Sequence, residues 1–560
     1  MLPWAILALI GVFSMLHRRV RADNYEDCMR WGQIAMNLRD GETAARRFAS
    51  AARYARQASP AIKPGALSEA LLLQAQAFQS VGQPRQALAL VEEGLRVDFE
   101  PHRGQLRLLG ASLCSSSGQH ERVEEMLRPI MDLTIAAEPN IRARAFMETG
   151  RARVNRGRSE EAIPILGEAM ALFEASSADR DSRHERAKTL ATLAIALDKT
   201  GQKEESRRAA EQSLAGWSEL EAAGDGYPSW EFLQYEMGLM HEIRGDPASA
   251  MQHWIKAVPS HSERLANGNQ AIAGAKLAAA YLESGRIVDA DREAERLVEY
   301  LARSQSHGKH SRALQSRARA ARIMGLYQEA EQLFRSGIKV SLESGPPKYR
   351  SAVVIWNDVA IMQIRRMEWE RAIAALDEAG PYLAKLMQPD PALAALLLNN
   401  RGVALRWTGA ANEAIECWQE AAAITRELPG GSDIAAMNLL SYRAKQGDQE
   451  AFDLFVAKAL EAKDDDQRLP WWFSDIAFCL ITQGRAAESQ QNWDRARELA
   501  FQQAADVDVR PAEFLEFCAV QFEESPWREQ VEIMRRDAAE FRAKVARKVD
   551  DAFPGRRPLG

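Results

Sequence analysis

Small and apolar positions fall along this chain in paired helical runs separated by short turns, and the stretch Leu398–Ile424 displays the unit clearly. Gly402, Leu405, Gly409, Ala414, Trp418 and Ala421 mark two short helices about a turn at Thr408–Gly409. Small residues at Gly402 and Ala414 let the two helices approach closely, while Leu405 and Trp418 fill the seam. One hairpin of this size cannot bury its own apolar face, so it needs neighbours stacked on both sides.

The pattern recurs from Tyr25 onward. A small residue in a first helix and another in the second lie twelve apart at Gly32/Ala44, Ala75/Ala87, Gly150/Ala162, Ala194/Ser206, Gly238/Ala250, Ala278/Ala290, Ala318/Ala330, Ala360/Ala372, Gly402/Ala414 and Ala477/Ser489. Ala111/Val123 and Leu439/Ala451 fit more loosely. Four residues beyond the second small position stands a larger packing residue, among them Phe48, Leu166, Phe334, Trp418 and Trp493. Glycines occupy the turns, as at Gly82, Gly118, Gly157, Gly201, Gly245, Gly285, Gly325, Gly409 and Gly484, where a tight helix–helix connection often needs left-handed backbone. About twelve hairpins follow, with a period near 40 residues.

As a set these spacings resemble the tetratricopeptide repeat (TPR), whose standard period is about 34 residues. The resemblance implies an all-α, right-handed TPR-like α-solenoid, a superhelix of about twelve repeats at residues 23–506. Past Val507 the pattern weakens into two amphipathic helices over 507–550, read as C-terminal capping helices, and a Pro/Gly-rich tail at 551–560, read as disordered. A hinge near Gly224–Pro228 is compatible with the looser composition there.

The N-terminus differs in character. MLPWAILALIGVFSML carries no charged side chain and HRRVR follows it directly. Sixteen helical residues span roughly 24 Å, less than the ~30 Å hydrocarbon core. Arg18, Arg19 and Arg21 behind the apolar run favour an N-terminal hydrophobic helix at residues 2–16 that anchors in a membrane, with the solenoid in the cytoplasm. The alternative is a capping helix on a cytoplasmic protein.

Composition narrows the function. With 46% hydrophobic and 27% charged residues the 560-residue chain is ample for a folded core, and a net charge of −6 argues against a nucleic-acid-binding body. Five scattered cysteines, none in a C-x-x-C pair, suggest reduced thiols. The chain has no G-x-S-x-G, H-E-x-x-H or Walker A motif, so no catalytic residue, metal ligand or cofactor is expected. His307 and His310 sit in a polar connection without carboxylates close in sequence and read as an exposed loop.

The TPR resemblance implies that first helices line a concave groove. With Gly402 and its equivalents as position 8, positions 2, 5, 9 and 12 face inward, which in one repeat selects Arg312, Gln315, Arg319 and Arg322. The next repeat supplies Asn357 with Arg365 beside the stripe, and the one after supplies Asn399 and Arg406 with Asn400 adjacent. Arg forks take carboxylates and Asn amides take backbone groups, so this set can grip an extended acidic peptide. It is similar to the carboxylate clamp of chaperone-binding TPR domains but lacks the lysines expected at inward positions. Internal pairing of these arginines with glutamates such as Glu329 is the competing structural role. Apolar stripes at Phe232, Tyr235 and Leu239, with Glu242 at the end, and at Trp471, Phe478 and Ile481, read as core unless exposed. The expectation is a non-enzymatic scaffold, membrane-anchored, gathering a protein or acidic peptide. The alternative is a peptide- or ligand-responsive TPR regulator without an anchor.

Overall fold

In a computed structural model, residues 24–556 are described apart from position 39 and short stretches at 59–64, 82, 98, 117, 136, 176–179, 223–229, 261–262, 266, 304–306, 346, 429–432 and 464–465. Among the described residues the regular structure is entirely helical. The chain divides into two compact units, Met1–Ala250 and Met251–Gly560.

The first unit contains α1 (24–37), α2 (Gly41–Ala58), α3 (Ala66–Ser80), α4 (Pro84–Val97), α5 (Glu100–Ser116), α6 (His120–Met131), α7 (Pro139–Asn155), α8 (Ser159–Ala175), α9 (Arg180–Lys199), α10 (Lys203–Ala222) and α11 (Trp230–Ile243). The division falls inside α12 (Pro247–Ala257). The second unit continues with α13 (Gly268–Glu283), α14 (Ile287–Arg303), α15 (His307–Ile323), α16 (Tyr327–Glu343), α17 (Tyr349–Arg365), α18 (Trp369–Leu383) and α19 (Pro391–Trp407). Then come α20 (Ala411–Arg426), α21 (Ile434–Lys445), α22 (Gln449–Glu461), α23 (Leu469–Thr482), α24 (Ala486–Gln502), α25 (Arg510–Phe522) and α26 (Arg528–Ala552).

The twelve-residue pairs are where helices touch. Every residue of the ten regular pairs is buried. Ser206 Oγ donates to the Ala194 carbonyl at 2.8 Å and Ser489 Oγ to that of Ala477 at 2.7 Å, so the second small residue sits directly on the first. The larger residue four positions on covers the glycine. A Cβ added at Gly32, Gly150 or Gly402 would come within 2.5–2.6 Å of Phe48, Leu166 or Trp418 respectively. The connecting turns explain the other glycines, as Gly325 and Gly409 adopt φ +79° and +84°. At the equivalent point between α17 and α18 the residue is Met367, which takes φ 60° without being glycine.

Within each unit successive first helices pack on one another (α5 on α7, α17 on α19, α21 on α23) more closely than successive second helices do. A stack that is tighter along its first helices curves toward them, so those helices line the concave face.

In the second unit the last hairpin makes a return contact. α25 and α26 stack on α23 and α24 through Phe514, Leu515, Cys518, Ala519, Phe522 and Trp493. The same segment also lies against the turns of earlier hairpins. The Val509 amide donates to the Ile323 carbonyl at 2.9 Å, Ala505 rests at the Gly285 turn, and Val545 and Val549 join the core of Ile287 and Tyr327.

The single-pass anchor expected at residues 2–16, and the membrane localisation built on it, are corrected. Among the described residues no helix is long and apolar enough to cross a membrane. Even the apolar α23 has only 14 residues and carries Asp475, and a membrane span needs roughly 20. Residues 1–23, which include the expected hydrophobic helix, lie outside the described residues.

Candidate functional site on the inner face of the second unit

Heptad-like spacing on α15, α17, α19 and α21 brings polar residues of successive repeats side by side, and two kinds of arrangement result. The first is internally satisfied. Arg319 forks onto Asp358 at 2.9 and 3.0 Å, and Gln315 Nε2 donates to the same carboxylate at 2.6 Å. Asp358 is the residue after Asn357 and was not among the sequence candidates; its place beside the inward stripe was the available signal. Three repeats are then linked by amides: Asn400 Nδ2 donates to Asn357 at 2.8 Å, Asn399 to Asn400 at 3.2 Å, and Asn438 to Asn399 at 2.8 Å. Asn357 and Asn399 are buried, as this continuous ladder requires. The Asn399 carbonyl also accepts from Trp418 Nε1 at 3.2 Å, tying the ladder to the hairpin seam.

The second arrangement is a row of cations at the C-terminal ends of the first helices. Arg322, Arg365, Arg406 and Lys445 each stand two or three residues before a turn with positive φ (Gly325, Met367, Gly409, Gly447). Helix C-termini favour positive charge there. Lys445 is paired with Asp475, and Gln521 of α25 binds both. Burial, reinforced by Arg406, pushes Lys445 down to about 8; Asp475 is pushed up by burial but held below its usual range by Lys445 and Arg406.

Among the described residues, no carboxylate lies within ion-pair reach of Arg322, Arg365 or Arg406. All three are half-buried. Arg365 lies over the Trp471 ring at 4.3 Å, and Arg406 over Trp407 at 5.2 Å and Tyr442 at 5.7 Å. Burial pushes Arg365 down to about 10, with Arg322 adding repulsion against an opposing pull from Glu513. Burial also lowers Arg406.

Aromatic rings wall this row. Trp369 and Trp407 stack at 5.5 Å, and Phe517 of α25 meets Trp407 edge-on at 5.2 Å and Trp471 at 5.2 Å. The apolar stripe Trp471–Phe478–Ile481 is therefore largely packed, with Phe478 against Phe522 at 5.4 Å. Of the remaining candidates, Arg312 is exposed to solvent. Glu329 pairs with Arg317 and Arg556, residues that the inward count did not select.

The inner face of the first unit is different. Burial pushes Glu148 up, yet Arg151 and Lys188 hold it below its usual range. Phe232 and Tyr235 are half-buried and Leu239 is buried. Among the described residues there is no group of three side chains suited to a metal ion. The cysteines are free, with Cys114, Cys479 and Cys518 buried and their thiols pushed up by that burial.

Comparison with known proteins places the repeat. Residues 395–430, which contain the Gly402–Trp418 contact, match the tetratricopeptide repeat family. Among solved structures the chain is similar to the apo form of RapI, with 14% identity over 64% of this chain and 98% of that one and a TM-score of 0.48. It is also similar to the apo form of the quorum sensor NprR from B. thuringiensis, with 10% identity over 70% and 97% and a TM-score of 0.47. No curated protein matches the sequence.

Proposed function

We infer that this chain of tetratricopeptide-type repeats is a peptide-responsive binding protein, and that the inner face of its second unit receives an extended acidic protein segment. The observation that carries this reading is the row Arg322, Arg365 and Arg406, half-buried and, among the described residues, without a carboxylate in ion-pair reach. Burying a cation with no carboxylate in direct contact costs stability. The more distant Glu513 and Asp475 offset that cost only in part at Arg365 and Arg406, so side chains of this kind are candidate places for a ligand's carboxylate. Aromatic rings back Arg365 and Arg406, and guanidinium forks suit carboxylates. The amides of Asn357, Asn399, Asn400 and Asn438 are bonded to one another, so the arginines carry the recognition. Binding is the role that these groups support; they do not form a nucleophile–base pair.

The test is fluorescence anisotropy of a dye-labelled octapeptide rich in glutamate, titrated with the full chain, with a lysine-rich peptide as control. The acidic peptide is expected to bind, to weaken as salt rises, and to lose at least tenfold in affinity on Arg365→Met with Arg406→Met. Equal affinity of the double variant removes the site.

A further inference from the structure

The last described residues, up to Arg556, enter a socket of opposite charge. Asp291 and Glu295 on α14 and Glu329 on α16 converge there, and Arg317 reaches them from α15. Arg556, four residues beyond α26, enters the same place and lies 2.5 Å from Asp291 Oδ2, 2.9 Å from Glu329 and 3.8 Å from Glu295. Asp291 is fully buried, and among the described residues its other oxygen accepts no hydrogen bond. Three carboxylates face two guanidiniums, so without Arg556 two negative charges would be left uncompensated around one buried aspartate.

The tail is shaped for this contact. Gly555 adopts φ +89°, and the Phe553 ring lies between Arg556 at 4.8 Å and Arg292 at 5.5 Å. Arg292 also donates to the Ala552 carbonyl at 3.3 Å, capping the end of α26. The last hairpin thus has two attachments. One is its apolar stack on α23 and α24; the other is its return to α14–α16, where Arg556 joins Arg542, Tyr327 and Glu513. The first attachment does not depend on the tail, whereas the second is pinned at its far end by one exchangeable ion cluster.

We propose that Phe553–Arg556 is a latch, seating Arg556 in the socket of Asp291, Glu295 and Glu329 to hold the last hairpin over the turns of the earlier ones and so govern entry to the Arg322–Arg365–Arg406 row. The closing action stands on these contacts alone, while the control of entry rests on the binding role proposed above. The occupant of the socket is the chain's own tail, and a basic segment of a partner would have to displace it to release the hairpin.

Hydrogen exchange on the full chain tests the closing action. Arg556→Glu is expected to raise exchange at least tenfold across residues 505–552 and at the end of α15, and Arg556→Lys by less, with α19 and α20 unchanged. Arg292→Ala, which loosens the tail without adding charge to the socket, should act in the same direction. Unchanged exchange at 505–552 in all three variants overturns the latch. Association of the glutamate-rich octapeptide tests the control of entry: a faster on-rate with Arg556→Glu supports it, and an unchanged on-rate alongside raised exchange overturns it. Raised exchange with no octapeptide binding to any form supports the closing action and rejects both the acidic-segment reading and the control of entry that rests on it.

Discussion

The hydroxyl of Tyr327 donates to Glu513 at 2.8 Å although 186 residues separate them, and both side chains are buried. Among the described residues Glu513 has no partner at its second carboxylate oxygen, and the tyrosine bonds the first. Arg542 approaches the same hydroxyl at 3.3 Å and pairs with Glu516, which joins α25 and α26 to the start of α16. Tyr327→Phe removes one donor and leaves a buried carboxylate unsatisfied, a change that costs about 1–3 kcal/mol. Urea denaturation followed by fluorescence should show a lower midpoint for this variant, and Tyr327→Phe with Glu513→Leu should recover part of it.

A second prediction concerns the hairpin seam. A methyl group at Gly402 would lie 2.6 Å from the Trp418 indole nitrogen. The indole is fully buried and bonded to Asn399, so it has little freedom to withdraw. Gly402→Ala is expected to destabilise by about 1–3 kcal/mol through overpacking. At Gly167, where an added Cβ meets nothing within 4 Å, the same substitution should be neutral or stabilising. Thermal unfolding of the two variants distinguishes them.

Met367 offers the reverse case. Its φ of 60° is a conformation that side chains disfavour by roughly 1–2 kcal/mol. Met367→Gly should therefore raise stability or leave it unchanged, offset by the entropy that glycine adds to the unfolded chain. A loss above about 1 kcal/mol in urea denaturation would mean that the Met367 side chain contributes packing.

The arginine row makes a stability forecast of its own. If Arg365 is held against burial for the sake of a ligand, Arg365→Met should raise the unfolding midpoint while removing acidic-peptide binding. Burial that brings this guanidinium down to about 10 corresponds to a penalty of at most about 3 kcal/mol, partly offset by the lost Trp471 contact. A lower midpoint would assign Arg365 to structure.

Glu236 gives the first unit a pH dependence. Burial pushes its carboxyl up to about 7, against roughly 4.3 in an unfolded chain. The folded state therefore binds the proton more tightly. Its stabilising contribution is complete below about pH 4.3 and is lost as pH rises through 7. The effect is at most about 3–4 kcal/mol. Urea midpoints should fall from pH 5 to pH 8, and Glu236→Gln should flatten that slope.

Much of the fold was legible because its signal is local and repeated. The twelve-residue offset and the turn glycines state how two helices meet, and each hairpin repeats the statement. Met367 escaped because a methionine carries no turn signal. At the inner face, counting positions selected Arg322, Arg406 and the amides as candidates, since helical spacing determines which residues share a face. It could not separate Arg319, forked onto Asp358, from Arg365, which has no such partner, because pairing depends on rotamers and on the neighbouring helix. The return of Glu513 to Tyr327 had no local sign at all: contact between residues so far apart follows from the curvature of the stack.

That return contact changes how the second unit can come apart. A linear array of repeats frays from its ends, since a terminal repeat has one neighbour instead of two. Here the terminal hairpin is held on a second side by α15 and α16, so one free end of the array is removed. Loss of order from the C-terminus must begin by breaking contacts that also support the middle of the unit, which makes its melting sharper than that of an open stack of equal length.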